Sequence, residues 1–145
     1  MLLGRYQHEM NDGCCLTIPA PFRAALVEGL YITQGFDKNL LILTDEAFRE
    51  LYQRVVAMNI ANPLARLLLR MILGNASRLE MDEAGRVQIP DQLMTFAGLK
   101  EMAVLVGQGD YFEIWSPSMW EKQSDELQDT EANAGRFAVL DLAIH

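Results

Sequence analysis

A ten-residue pattern occurs twice in this chain, and the duplication constrains the fold more than any other feature. "MNDGCCLTIP" (residues 10–19) returns as "MDEAGRVQIP" (81–90), with Met, Ile and Pro coinciding at an offset of 71. The likeness continues past each proline. "APFRAALVEG" and "DQLMTFAGLK" both read as short helices entered just after Pro19 and Pro90. "LYITQGFDKNLLILT" and "AVLVGQGDYFEIWS" both read as strand, polar turn and strand. Aligning Gly35 with Gly107 moves the offset to 72, which implies one inserted residue. Thr44 then matches Ser116, each where a helix N-cap is wanted, because a hydroxyl oxygen accepts an orphan backbone N–H. Pro117 suits the first helical position, and Asp45 and Glu46 suit the positive end of a helix dipole. Phe48 and Trp120 fall at matching apolar positions. Each copy is predicted to run strand, short helix, strand, turn, strand, capped helix. A unit of about 45 residues buries too little surface to stand alone. Two copies packed about a pseudo-twofold axis answer that shortage, as internal repeats generally do.

Between the copies, "NPLARLLLRMILGN" (62–75) predicts a helix capped by Asn62 and started by Pro63. Leu64, Leu67, Leu68, Met71 and Ile72 form a broad apolar face, with Arg66 and Arg70 one turn apart on the other side. Leu69 and Leu73 flank that arginine stripe. A helix so apolar around its circumference is either deeply buried or packed on one side against its own barrel and on the other against a second subunit. The polar, acidic stretch after Trp120 is expected to finish a helix and fray. The apolar ending "AVLDLAIH" has no predicted place. The organisation read from this is a first half at 1–60, a linking helix at 61–75, a second half at 76–127 and a tail at 128–145, all in one structural domain.

Charge restricts the partners. There are 12 Lys and Arg against 20 Asp and Glu, a net of -8. Any contact with a polyanion must therefore come from a local basic patch. Two adjacent cysteines, Cys14 and Cys15, and two histidines, His8 and His145, give no metal-ligand spacing. The thiols read as ordinary strand or turn residues, with a redox-sensitive or intermolecular link as the alternative. No Ser–His–Asp set, phosphate-binding glycine loop or carboxylate pair suggests an enzyme, and no cofactor is expected. No apolar run approaches the ~20 residues that span a bilayer, and the opening "MLLGRYQHEM" lacks signal-peptide architecture. A cytoplasmic location is expected.

Three stretches, "LGRYQHEMNDGCCLTIPAPFR", "MDEAGRVQIPDQL" and "FEIWSPSMWE", resemble the MraZ family of bacterial transcriptional regulators. That family belongs with the SpoVT/AbrB-like swapped-hairpin proteins, and the likeness covers about residues 1–125. The residues that carry it include Gly4, His8, Pro19 and Arg23, then Asp82, Gly85, Arg86 and Pro90, and the run from Glu113 to Pro117. The resemblance implies a β-rich α+β fold: an internally duplicated swapped-hairpin β-barrel of double-psi or AbrB-like type, with peripheral helices. It implies a homo-oligomeric ring, found in the cytoplasm at the nucleoid. The ring would bind double-stranded DNA at promoter repeats upstream of cell-division and cell-wall genes. The family carries an Asp-x-x-x-Arg motif in each half. Here the second copy keeps it, as Asp82 and Arg86, while the first has Asn11 and Cys15, with Cys14 at the glycine position.

The motif has a physical rationale of its own. Gly85 permits a tight turn, Asp82 can take turn amides and restrain the Arg86 guanidinium, and Arg86 can then meet a phosphate or a guanine edge. The alternative is a turn-stabilising ion pair with no partner. Candidate DNA contacts are Arg86 and Asp82, then Arg5, Arg23 and Lys38 for phosphates, with Cys15 marking the altered motif position. A competing reading keeps the ring as a structural or interaction module whose DNA binding is weakened or lost with the first motif.

Overall fold

Register between the two copies determines the architecture. The computed structural model describes residues 1–142; the last three residues of the tail, including His145, lie outside the described residues. The first copy consists of β1 (Arg5–Asn11), β2 (Cys15–Thr17), α1 (Ala20–Leu26), β3 (Leu30–Gln34), β4 (Leu40–Thr44) and α2 (Asp45–Val56). Helix α3 (Pro63–Ile72) follows. The second copy repeats the series as β5 (Ser77–Leu79), β6 (Arg86–Gln88), α4 (Asp91–Ala97), β7 (Met102–Gly107), β8 (Tyr111–Trp115) and α5 (Pro117–Gln128). Helix α6 (Thr130–Phe137) and a single 3₁₀ turn (Ala138–Leu140) end the described chain.

The eight strands form one antiparallel sheet in the order β5-β3-β4-β8-β7-β1-β2-β6. Its two end strands meet at the turn joining β5 to β6, where Asp82 N donates to Arg86 O at 2.9 Å. The sheet thus curls into a nearly closed barrel. The first strands are exchanged: β1 pairs with β7 of the second copy, and β5 pairs with β3 of the first. In β2–β6, Leu16 faces its own counterpart Val87, and in β4–β8, Leu41 faces its counterpart Glu113. A residue opposite its own equivalent marks a twofold axis, so the axis runs through both pairs. The duplicated swapped-hairpin barrel expected from the sequence is the fold observed.

One detail of the alignment is corrected. His8 pairs with Ala103, while its counterpart Leu79 pairs with Leu30. Leu30 and Ile32 therefore match Ala103 and Leu105, all four in the core. Gly35 matches Gln108 rather than Gly107. Gly35 N bonds Asn39 O and Gln108 N bonds Tyr111 O, each at 2.8 Å, so the first hairpin turn is one residue longer. Buried Asn39 fills that longer turn, accepting from Asp37 N at 3.2 Å and donating to Glu113 Oε2 at 2.9 Å.

Inward side chains of β2, β3, β4, β6, β7 and β8, with Met10 of β1, fill the barrel. Phe22 of α1 sits at its centre, with ring centroids 5.1 Å from both Tyr6 and Phe112. The caps form as expected: Thr44 Oγ1 accepts from Ala47 N at 3.1 Å and Ser116 Oγ from Met119 N at 3.3 Å. Phe48 stacks on Tyr31 and Trp120 packs edge-on against Trp115.

Helix α3 departs from the deeply buried reading. Thr33 Oγ1 donates to Ile72 O and holds its C-terminal end against β3. Only Ala65 and Ile72 are buried; Leu64 and Leu67, part of its broad apolar face, are 73% and 63% exposed. The tail does not fray after α5. Asp129 Oδ1 accepts from Ala132 N at 3.1 Å and starts α6, whose apolar Phe137, with Val139 and Leu140 just beyond it, is exposed.

Candidate nucleic-acid interface

The three-residue strands β2 and β6 lie side by side with Cys15 opposite Gln88 and Thr17 opposite Arg86. Side chains alternate across a sheet. Leu16 and Val87 point into the barrel, and Cys15, Thr17, Arg86 and Gln88 share the outer face. The turns at 11–15 and 82–86 flank this pair symmetrically. Each is docked on the opposite half by one backbone bond: Ile89 N donates to Cys14 O at 2.9 Å, and Ile18 N to Gly85 O at 2.8 Å.

In the turn at 82–86, Gly85 N closes on Asp82 O at 3.0 Å and Gly85 takes a φ of +77°, the left-handed position of a three-residue hairpin loop. Asp82 organises the rest. Its Oδ1 accepts from Ala84 N and Arg86 N, and its Oδ2 accepts from Arg86 Nε, all at 2.9 Å. The Arg86 backbone amide, foremost, and then the Arg86 side chain hold the Asp82 carboxyl below its usual range. A depressed carboxylate keeps its contribution above the unfolded value and loses it only as pH falls through the folded one. Arg86 is therefore held in place throughout the neutral and mildly acidic range.

The structure brings Arg23 to the same place. Its Nε donates to Ile18 O at 2.9 Å, and its guanidinium covers Gly85, where an added Cβ would lie 2.6 Å from Cζ. Both arginines thus bond through Nε. Among the described residues, the terminal nitrogens of neither one make a hydrogen bond. Two guanidiniums with free forks on adjacent sides of one turn can grip a phosphate or a base edge.

The other expected contacts are not gathered here. Arg5 starts β1, about 20 Å along the strand from Asn11 at ~3.4 Å per residue, and lies over the Trp120 ring at 5.4 Å. Lys38 occupies the β3–β4 turn. Since β3 runs antiparallel to β5, that turn is at the end of the strand pair away from Asp82. Cys15 stands at the pseudo-symmetric position of Arg86, half-buried. Gln88 and Thr17, absent from the sequence-based set, are outward neighbours of the motif; strand alternation counted from Arg86 would have found Gln88. Arg78 is nearby, but it is spent on Glu80 Oε1 at 3.0 Å and Glu28 O at 3.2 Å.

Comparison with known proteins agrees with this duplicated geometry. The family model described as "MraZ protein, putative antitoxin-like" matches the chain twice, over residues 1–71 and 72–139. The chain belongs to the MraZ family. Relatives named "Transcriptional regulator MraZ" include one from Herpetosiphon aurantiacus, 41% identical over 129 residues, covering 89% of this chain and 90% of the relative. One from Roseiflexus castenholzii is 41% identical over 138 residues, covering 95% and 94%. One from Thermomicrobium roseum is 37% identical over 141 residues, covering 97% and 99%. MraZ is a family of transcriptional regulators and not of enzymes. No helix among the described residues is long and apolar enough to cross a membrane.

Proposed function

We propose that this chain is a sequence-specific DNA-binding transcriptional regulator acting as a homo-oligomeric ring. Its targets are promoter repeats upstream of a cell-division and cell-wall gene cluster, and it works in the cytoplasm at the nucleoid. The observation that carries the reading is the turn at 82–86, where Asp82 pre-orients the exposed Arg86, half-buried Arg23 covers Gly85, and among the described residues neither guanidinium uses its terminal nitrogens in a hydrogen bond. The net charge of -8 does not oppose it, because such binding needs only a local cationic point in each subunit. The test is fluorescence anisotropy with duplex from upstream of the protein's own gene, against a scrambled duplex, at two salt concentrations. Binding of the native duplex that weakens steeply with salt is expected. Equal affinity for both duplexes would remove the sequence-specific reading.

Assembly draws support from two exposed apolar patches. One comprises Ile60, Leu64 and Leu67 around α3; the other comprises Phe137, Val139 and Leu140 beyond α5. Helix α3 packs on β3 and α5, which leads into the second patch through α6, packs on β7; these strands are related by the pseudo-axis, so the two helices sit on opposite flanks of the barrel. Different patches suit head-to-tail contacts, which close into rings. Exposed Arg66 and Arg70 on α3 complement the acidic Asp125, Glu126 and Glu131 of α5 and α6. A Leu64→Glu/Leu67→Glu variant should lower the mass measured by light scattering to that of a monomer. An unchanged assembled mass would place the contact elsewhere.

The first motif favours a second reading, in which the ring serves as a structural or interaction module with little DNA binding of its own. Asn11 and Cys15 provide neither the carboxylate nor the cation that the second turn has. Failure of the chain to bind any duplex, with assembly retained, is the result that would select it.

A further inference from the structure

The pseudo-symmetry supplies an internal comparison of the two turns. Arg23 of α1, in the first half, covers Gly85 in the turn of the second half. At the offset of 71 that relates these segments, the counterpart of Arg23 is Met94 of α4, and the counterpart of Gly85 is Cys14. Met94 is buried in the core cluster, and Cys14 packs against that cluster. The backbone differs as well. In the first turn Asp12 and Gly13 take the left-handed conformation, at φ +51° and +83°, whereas Cys14, at the position of Gly85, does not. Asn11, at the position of Asp82, makes no side-chain hydrogen bond among the described residues, where Asp82 makes three.

We infer that each turn is held by a helix residue of the opposite half, Arg23 for 82–86 and Met94 for 11–15. We further infer that the first turn differs from the second as one set of four residues, Asn11, Cys14, Cys15 and Met94, so that each protomer presents a single reading turn. Arg23 is a positioning residue: it covers the one glycine whose left-handed backbone lets Asp82 and Arg86 close on each other. Met94 does for the first turn what an apolar lid does, closing it onto the core. The consequence is specific. Replacing Cys15 alone puts a cation on a turn with the wrong backbone, no carboxylate beneath it and no guanidinium beside it. The part of this inference that concerns DNA rests on the function proposed above; the part that concerns the turn does not.

The test has two arms on the full chain. The first uses NMR without DNA, following the Asp82 carboxyl titration and the exchange of Arg86 Nε–H in the natural protein and in Arg23→Met. The Asp82 midpoint should rise toward the usual aspartate range, and Nε–H exchange should quicken by about fivefold or more as the turn opens. Both unchanged would overturn the positioning role, whatever DNA does. The second arm measures anisotropy with the upstream duplex as salt is varied. Cys15→Arg alone should leave the log–log salt slope as it is. The combined Asn11→Asp/Cys14→Gly/Cys15→Arg/Met94→Arg variant should steepen it by roughly 0.9 for each added phosphate contact. Steepening by Cys15→Arg alone would overturn the four-residue set. If the natural chain binds no duplex, the DNA reading fails while the NMR arm still decides the turn. That arm uses Arg23→Met only, so it is decided whether or not the four-residue variant folds.

Discussion

Replacing Arg86 by alanine will abolish discrimination between the native and a scrambled upstream duplex. A bidentate arginine–guanine pair is worth about 1–3 kcal/mol of discrimination, roughly 5- to 150-fold in affinity for each turn engaged. Two features place Arg86→Ala at the upper end. Arg86 has no counterpart in its own chain, because Cys15 stands at the symmetric position and half-buried. In the proposed ring the effect would recur in every subunit that engages DNA. The fold should survive, since Arg86 is exposed and its neighbour Val87, buried at 1% exposure, carries the packing. The measurement is anisotropy on both duplexes beside a thermal melt. Lost discrimination with an unchanged melting temperature is expected. Retained discrimination would mean that sequence is read elsewhere, and Gln88 would be the first residue to examine.

The second large effect concerns stability. Phe112→Ala should cost about 3–5 kcal/mol, the usual range for deleting a buried aromatic ring. Phe112 is fully buried, at 0% exposure, and its ring meets Phe22 at 5.1 Å. Phe22 belongs to the first half and Phe112 to the second, so the cavity would open where the halves are joined. Phe22 in turn touches Tyr6 of β1. For a domain of this size such a loss consumes a large part of a total stability of about 5–15 kcal/mol. Urea denaturation should show an earlier midpoint with an unaltered slope, because the surface exposed on unfolding is nearly the same. A midpoint within the error of the natural chain would show that the interior repacks around the missing ring.

The duplication, the hairpin before each proline and the capped helices were legible because each rests on local chemistry: a repeated Ile-Pro, a hydroxyl before a helix, a proline at its first position. The register of β3 against β7 was not. Gly35 and Gly107 invited alignment, yet Asn39 fills a longer first turn, and only strand pairing shows that Gly35 corresponds to Gln108. Which face of α3 is exposed was not legible for a similar reason. Periodicity placed Leu64 and Leu67 on one stripe with Ile72, but which stripe faces inward depends on where Thr33 anchors the helix. At the site, the Asp82–Arg86 pair could be read directly, since four residues around a glycine make a turn. The approach of Arg23 to Gly85 could not, because the two residues belong to different halves and meet only through the exchange of hairpins.

That exchange also sets the order of events during synthesis. Arg5 of β1 is paired with Val106 of β7, roughly 100 residues later in the chain. At about 5–20 residues per second, the first strand leaves the ribosome several seconds before its main partner exists. For that interval β1 is an open edge, and the closest substitute for β7 on a crowded message is the same strand on a neighbouring nascent chain. Non-local pairing of this kind is slow and exposed to misassembly. A barrel that threads its first strand into its last third thus gives translation speed a direct say in how many copies finish as separate molecules and how many finish entangled with a neighbour.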